Sequence, residues 1–390
     1  MNDTLLASAP GTLRQGEIYL GGMMHQQWPP VPARQDALEK AAEAAMTPEA
    51  FAYVAGGAGR ESTASENRAA FDRRRIMPRM LRDVGSRDLS IELLGRRRPH
   101  PLLAAPIGVQ ELMHAHADLA TARACAATET PLVISNQASF AMEDIAADMG
   151  AASRWFQLYW GKSDELVASL VTRAEACGCE AIVVTLDTAL LGWRTRDLDL
   201  AYLPFLEGRG IAQYVSDPVF QSMLGANPDP QAASLLFMTT YSNPTVTWDR
   251  IAFLRKHTSL PILLKGINHP ADAAQAALIG MDGIIVSNHG GRQIDGAVGA
   301  LDALDAVVQR IGGTIPVLFD SGIRGGADVF KALALGARAV LIGRPYAYGL
   351  AIAGEAGVAA VFRNMIAELD LTMGLAGCRN VAEITRDMLT

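Results

Sequence analysis

From residue 102 onward, short apolar runs alternate with alanine-rich stretches whose apolar positions recur at helical spacing. The runs occupy 102–106, 132–135, 155–159, 181–185, 262–265, 283–287, 316–320 and 339–343. Each is too short for a helix and lacks the polar–apolar alternation of a half-exposed strand, so each reads as a strand buried on both faces. Most start roughly 21 to 33 residues apart, about one strand–helix unit. This pattern predicts a closed parallel (βα)8 TIM barrel over 101–390. The connection from the fourth run to the fifth is longer, about 80 residues. Its surplus, 197–246, carries Pro204, Pro218, Pro228, Pro230 and Pro244 among aromatics and is expected to form a lid, with Tyr202, Phe205 and Phe220 able to shape a binding site. Residues 1–100 are expected to be an N-terminal arm and helices packed on the barrel. Positions 1–34 read as an extended arm able to lie on a neighbouring subunit. A helix is expected over 36–45, and a second begins with Thr47 as cap and Pro48 in the first turn.

Polar residues gather at one end of the apolar runs. In order, the runs lead into Pro106-Ile107-Gly108, Ser135-Asn136-Gln137, Gln157 with Tyr159, and Thr185-Leu186-Asp187 with Arg194 beyond. The later ones lead into Lys265, Ser287-Asn288-His289-Gly290-Gly291-Arg292-Gln293, Asp320-Ser321-Gly322-Ile323-Arg324 and Gly343-Arg344. In a (βα)8 barrel the C-terminal strand ends carry the catalytic groups. His289 is a proton carrier near neutral pH and Arg292 a two-pronged carboxylate grip, with glycines between them for close backbone approach. Asp187 can orient His289 and stabilise its protonated form, and Arg194 with Arg292 can clamp a carboxylate. Lys265, in an apolar context, suits either a Schiff-base amine or a fixed positive charge beside an electron-rich ring. Gly322, Arg324, Gly343 and Arg344 form glycine-rich turns at helix starts backed by arginines, which is a phosphate site. No dinucleotide glycine pattern appears, so a mononucleotide phosphate is expected.

Composition narrows the classes. The 390 residues are 50% hydrophobic with 36 glycines, as in an α/β enzyme. A formal net charge of −7 argues against a nucleic-acid surface, and the basic triplet Arg96-Arg97-Arg98 reads as a solvated turn. Cys125, Cys177, Cys179 and Cys378 show neither disulfide nor metal spacing, and His114-Ala115-His116 lacks partners for a metal. No signal-like segment is seen, and the longest apolar run, 339–354, is interrupted by Arg344 and Pro345, so a cytoplasmic location off the membrane is expected.

These motifs resemble the FMN-dependent 2-hydroxy acid oxidizing family from about residue 37 to the C-terminus, most specifically over 287–293 and 320–324. The resemblance implies FMN as cofactor and oxidation of an L-2-hydroxy acid with oxygen as acceptor. Pro106, Ile107 and Gly108 would pass behind the flavin, Ser135, Gln157 and Thr185 would contact its ring, and Lys265 would stabilise negative charge on it. Ser287 belongs to the same cofactor set. Asp320, Gly322, Arg324, Gly343 and Arg344 would hold the ribityl chain and phosphate. His289 would be the base with Asp187 its partner, Arg194 and Arg292 the carboxylate clamp, and Tyr53 and Tyr159 the substrate-facing tyrosines. Residues 192–198, 214–220, the long insertion and Gly108 are most similar to lactate 2-monooxygenase, so the resemblance implies oxidative decarboxylation of the keto acid as the expected outcome. Residues 110–118 and 373–378 are more similar to hydroxymandelate oxidase, which together with lactate oxidase implies a plain peroxide-releasing reaction instead. An electron-transferring dehydrogenase would share the same residues. The family further implies a homo-oligomer, tetrameric or octameric.

Overall fold

The computed structural model describes residues 9–225 and 229–390; residues 1–8 of the arm and 226–228 of the insertion, Pro228 among them, lie outside the described residues. A two-stranded antiparallel hairpin, β1 (Ile91–Leu93) and β2 (Arg96–Arg98), precedes a closed parallel barrel. The barrel strands are β3 (Leu102–Ala104), β4 (Leu132–Ile134), β5 (Arg154–Tyr159), β6 (Ile182–Thr185), β7 (Ile262–Lys265), β8 (Gly283–Val286), β9 (Val317–Phe319) and β10 (Ala339–Ile342), and β10 pairs with β3 to close it. All eight apolar runs are therefore strands of one barrel.

Alternation along each strand divides the core in two. Leu103, Val133, Trp155, Val183, Leu263, Ile285, Leu318 and Leu341 fill the barrel interior, while their strand neighbours face the surrounding helices. Ile91 and Leu93 of the hairpin join the interior group and plug the end opposite the polar loops. The basic triplet is thus β2, not a solvated turn. Arg98 is buried and pairs with Glu180, which also accepts from Ser153 Oγ at 2.7 Å.

The N-terminal arm is a helix over Pro10–His25, where an extended segment was expected. Proline at its first turn preorganises it. Its docking uses polar atoms and a glycine in place of an apolar stripe, so no periodicity betrays it. Gly11 N donates to Asp370 Oδ2 at 3.0 Å, and Arg14 Nε to Asn364 Oδ1 at 2.9 Å. A Cβ on Gly11 would lie 2.5 Å from Leu371 Cγ, so only glycine permits that approach. Tyr19, Leu20, Met23, Met24 and, just beyond the helix, Trp28 remain exposed. Helices Gln35–Ala45 and Pro48–Ala55 stand where expected, with Thr47 Oγ1 accepting from Ala50 N.

The insertion is a packed helical layer. It contains helices Thr195–Asp199, Ala212–Val215, Pro218–Leu224 and Pro230–Thr240. Phe205, Tyr214, Phe220, Phe237 and Tyr241 are buried together, with Phe237 stacked on Tyr241 at 4.8 Å and Tyr214 edge-on to Phe237 at 4.8 Å. Asp217 ties the layer down by accepting from Ser169 Oγ at 2.8 Å and Arg173 Nη1 at 3.0 Å. The final helix, Arg344–Ala376, is long and apolar enough by composition to span a bilayer. It breaks at Ala353 and Gly354, and its apolar faces pack on helices Ala117–Ala127, Pro10–His25 and Gly326–Ala334. The cysteines are free, with Cys125, Cys179 and Cys378 buried.

Asp370 is wholly buried and accepts from Arg87 Nε and Nη2, both at 2.7 Å, besides Gly11 N. Asp370→Ala strands the Arg87 guanidinium, and we expect it to lower unfolding free energy by about 3–5 kcal/mol. Chemical denaturation reads this directly; a change under about 0.5 kcal/mol would show that the anchor is not needed.

Candidate active site

Barrel register brings the polar strand ends together. Thr185 pairs with Lys265 across β6–β7 despite the long insertion between them, and Tyr159 pairs with Thr185 across β5–β6. Above these ends lies a cleft enclosing ≈ 1030 Å³, partly open to solvent.

The segment after β8 is held in a strained turn. His289 has φ +58° and Ser321, in the adjacent loop after β9, φ +85°, both in the left-handed region. Ser321 Oγ braces both loops: it accepts from Gly290 N at 2.9 Å and Asn288 N at 3.3 Å and donates to Asp320 Oδ1 at 2.8 Å. Asn288 exchanges side-chain hydrogen bonds with buried Asn67 at 2.6 and 2.8 Å. Gly290 and Gly291 also have positive φ, but the close approaches they permit are to the protein itself. A Cβ on Gly290 would lie 2.7 Å from Arg344 Nη1, and one on Gly291 2.5 Å from Ala64 N. Such strain costs about 1–3 kcal/mol per residue and persists where surrounding bonds over-determine it.

That turn delivers His289 to the cleft. Its Nδ1 lies 2.8 Å from Asp187 Oδ1 and 3.3 Å from Thr188 Oγ1. Burial pushes the imidazole below its ordinary range, Asp187 opposes this, and Lys265 and Arg194 add to the downward push. The ring is therefore neutral at neutral pH, with Nδ1–H donating to the carboxylate and Nε2 free to accept a proton. Burial alone would raise the Asp187 carboxyl, but His289 and Lys265 outweigh it and hold it below the usual carboxylate range.

Two arginines share the cleft wall. Arg292 donates through Nη1 to the backbone oxygens of Tyr53 and, at 3.0 Å, Gly56, with its guanidinium 5.0 Å from the Tyr53 ring centroid. Arg194 donates to Gln293 Oε1 at 3.1 Å and reaches the Arg292 carbonyl at 3.4 Å. Neither has a carboxylate within ion-pair distance among the described residues. Burial, with Arg194 alongside, pushes Arg292 down to about 9. Two buried like charges without an anion form a receptor for one. Tyr53 and Tyr159 border the same space, and burial raises both phenols, so each stays a hydrogen-bond donor.

A second cationic group lies farther along. Burial and Arg344 push Arg324 down to about 10. Arg344 itself is largely taken up, donating to Val54 O at 3.1 Å, Gly290 O at 2.8 Å and Gly56 O at 2.8 Å. Its role as a phosphate grip is thus secondary to joining the N-terminal helices to the β8 loop, while its charge still faces the cleft. Lys265 is buried and compensated: Nζ donates to Ser287 Oγ at 2.9 Å and lies 3.1 Å from Asp320 Oδ2. Burial would lower it, but Asp320 and Asp187 outweigh that and raise it, so it is a fixed cation and not a Schiff-base amine.

Pro106, Ile107, Gly108, Gly322 and Gly343 line the cleft as expected. Ser135 and Ser287 directly follow β4 and β8 and Gln157 lies within β5, all three outside its wall, and Thr185 with Asp187 opens onto a second cavity behind. The smallness of Gly108 has a packing cause: its Cβ would meet Gln137 Cβ at 2.9 Å and Gln137 O at 3.0 Å. Of the insertion residues, Phe205 lines the cleft, Tyr202 does not, and Phe220 is buried away from it against Tyr214. The sequence reading missed Tyr241, Met113, Leu191 and Thr188 in the wall. Thr188 had a signal, standing next to Asp187; Tyr241 had none, lying at the far end of the insertion.

The cleft suits a flat ring with an anionic tail. Among the described residues, Gln157 Nε2 and Asn136 Nδ2 are buried donors without partners. Lys265 supplies a fixed cation to the cleft, and Arg324 has no anion partner among the described residues.

The sequence model of the FMN-dependent dehydrogenases matches residues 42–390. The chain is 43% identical over 380 residues to an FMN-dependent alpha-hydroxy acid dehydrogenase of Penicillium citrinum, covering 96% of this chain and 94% of that one. It is 43% identical over 366 residues to an L-lactate oxidase of Lysinibacillus sphaericus, covering 94% of each, and 41% identical over 350 residues to a 4-hydroxymandelate oxidase of Amycolatopsis orientalis, covering 90% and 96%. A crystal structure of mandelate oxidase with (S)-4-hydroxymandelic acid aligns with TM-score 0.82 at 39% identity, covering 92% of this chain and 98% of that one.

The unpaired arginines generate a direct expectation. Arg292→Lys exchanges a planar fork for a point charge and should weaken oxalate binding by about 1–3 kcal/mol, read by equilibrium titration. Unchanged affinity would remove Arg292 from the anion site.

Proposed function

The chain belongs to the FMN-dependent dehydrogenase family, and from that premise we propose that it oxidises an L-2-hydroxy acid to the 2-keto acid with oxygen as final acceptor. FMN is the cofactor, and when bound it supplies a hydride acceptor. The observation that carries the reading is a neutral His289, hydrogen-bonded to ionised Asp187, on the same cleft as the Arg194 and Arg292 guanidinium groups, which have no anion partner among the described residues.

In this reading Arg194 and Arg292 fix the substrate carboxylate, and Tyr53 and Tyr159 donate hydrogen bonds from opposite sides. His289 Nε2 takes the hydroxyl proton, and Asp187 stabilises the resulting imidazolium through Nδ1. Pro106, Ile107 and Gly108 would back the ring with Ser135 and Gln157 as polar contacts. Lys265, kept charged by Asp320 and positioned by Ser287, offsets negative charge on it. Thr185 would contact the ring from the β6 end. Gly322, Arg324, Gly343 and the remaining donors of Arg344 would hold ribityl chain and phosphate. The exposed apolar residues of the N-terminal helix support a homo-oligomer.

The product reading favoured here is the plain oxidase, releasing keto acid and peroxide. Decarboxylation requires the keto acid to outstay oxygen's arrival. Gly108 gives no support for that, because Gln137 fills the space its missing side chain leaves. A specific observation does favour the monooxygenase outcome as a second reading: Phe205 is pinned over the cleft by contacts to Tyr53 at 6.4 Å and Phe237 at 5.0 Å, a rigid wall that slows escape.

Two measurements decide these points. His289→Gln should retain FMN yet slow anaerobic flavin bleaching by about 10²–10⁴-fold. In the parent enzyme the bleaching rate should hold constant as pH falls to the ordinary histidine range and drop only below it, because the imidazole is depressed and its neutral form is the active one. Bleaching by His289→Gln at nearly the parental rate would exclude this base. Product stoichiometry in air, without catalase, distinguishes the outcomes: one peroxide per substrate oxidised supports the oxidase, whereas carbon dioxide with little peroxide overturns it in favour of decarboxylation.

A further inference from the structure

A second cavity, enclosing ≈ 970 Å³, lies behind the cleft. The two share Tyr159, Thr188 and Tyr241 as a partition. His289 borders only the front cleft, and Asp187 only the rear cavity, so the 2.8 Å hydrogen bond between them crosses from one space to the other. The rear cavity has a mixed lining: apolar side chains, among them Leu186, Val246, Trp248 and Ile251, and polar ones, Asp187, Thr188, Ser242, Asn243 and Thr247, with Asp272 exposed. It is open to solvent, and its polar groups give entering water hydrogen-bond partners. Asp187 is held ionised by the charges around it, and its side chain keeps a small exposed part where it borders the cavity, although Oδ2 itself is enclosed and accepts no hydrogen bond from any described residue. Solvent close to such a carboxylate favours its charged form.

We propose that the rear cavity is a water-filled proton route that connects the His289–Asp187 pair to solvent without passing the substrate mouth. The idea rests on His289 being the base. While substrate or keto acid occupies the front cleft between Arg194, Arg292 and the Phe205 wall, a proton on the imidazole has no exit on that side. On oxidation the substrate C–H bond breaks and its electron pair leaves with the hydrogen as hydride to FMN. The O–H bond breaks and its proton goes to His289 Nε2. The Nδ1 proton then passes to the Asp187 carboxylate, from there to water in the rear cavity, and so to bulk, one proton per substrate. A proton returns by the same path when oxygen is reduced to peroxide. The charged groups facing His289 are Asp187, Lys265 and Arg194; the two cations disfavour keeping the proton on the imidazole.

The test is anaerobic stopped flow of the FMN-loaded enzyme in weakly buffered solution, following flavin bleaching and, through a pH-indicator dye, proton release. In the parent the proton should appear in step with bleaching. Val246→Trp, on the half-buried rear wall, should bleach at the parental rate but lose that synchrony, the proton trailing the bleaching. Thr247→Trp, at the exposed rim, is the variant to use if Val246→Trp does not retain FMN. Proton release in step with bleaching in the plugged variants, or none in the parent, overturns the rear route. Loss of His289 as base shows itself separately, as parental bleaching in His289→Gln.

Discussion

A guanidinium group keeps its charge at any pH a cell reaches, so burying one commits a fold to finding it an anion or bearing the loss of its hydration. Arg194, Arg292, Arg324 and Arg344 are gathered around one cleft, and among the described residues none has a carboxylate within ion-pair distance. Backbone oxygens of Tyr53, Val54, Gly56, Gly290 and Ile323 and the side chain of Gln293 hold them in place. The surrounding architecture follows from this. Helix Pro48–Ala55 ends where its last carbonyls can receive arginines, and the β8 loop adopts left-handed backbone to present another. In the function proposed above, the compensating charge arrives with the ligands, as a carboxylate and a phosphate. Lys265 is the contrast: it is neutralised in place by Asp320, so its charge is part of the scaffold and not an invitation.

Barrel closure is what makes such an arrangement affordable in geometric terms. Each strand contributes one or two residues at its upper end, and parallel register sets their spacing to within a hydrogen bond. The 76 residues between β6 and β7 leave the Thr185–Lys265 pairing undisturbed because the insertion buries its own aromatic core and ties itself down through Asp217. Its aromatic residues therefore form a wall with Phe205 and Tyr241 turned to the cleft.

The barrel was legible because eight buried strands leave eight uninterrupted apolar runs, and the site was legible because its polar residues cluster at the same end of those runs. What was hidden shares a physical cause. Helix Pro10–His25 docks through Gly11, Arg14 and Asp370, so it carries no apolar stripe to read. The β1–β2 hairpin is three residues a side, with Arg98 buried only because Glu180, far away in sequence, receives it. The pair Gly290–Gly291 reads as allowing close backbone approach to a ligand, and Gly108 as a position behind the flavin, whereas their missing side chains make room for Arg344, Ala64 and Gln137. Tyr241 reaches the cleft only through the packing of the whole insertion. Contacts between distant segments decide each of these, and no local pattern encodes them.

The hydrogen bond from Gly11 to Asp370 joins residues 359 positions apart, and β10 must pair with β3 before the barrel exists. On a ribosome, every strand end of the site emerges and waits for its neighbours until nearly the last helix has been made. Contacts of such long range fold late and slowly. A nascent chain can thus display the four arginines as separate, solvated charges but cannot yet assemble the cleft that collects them, so cofactor capture is reserved for the finished molecule.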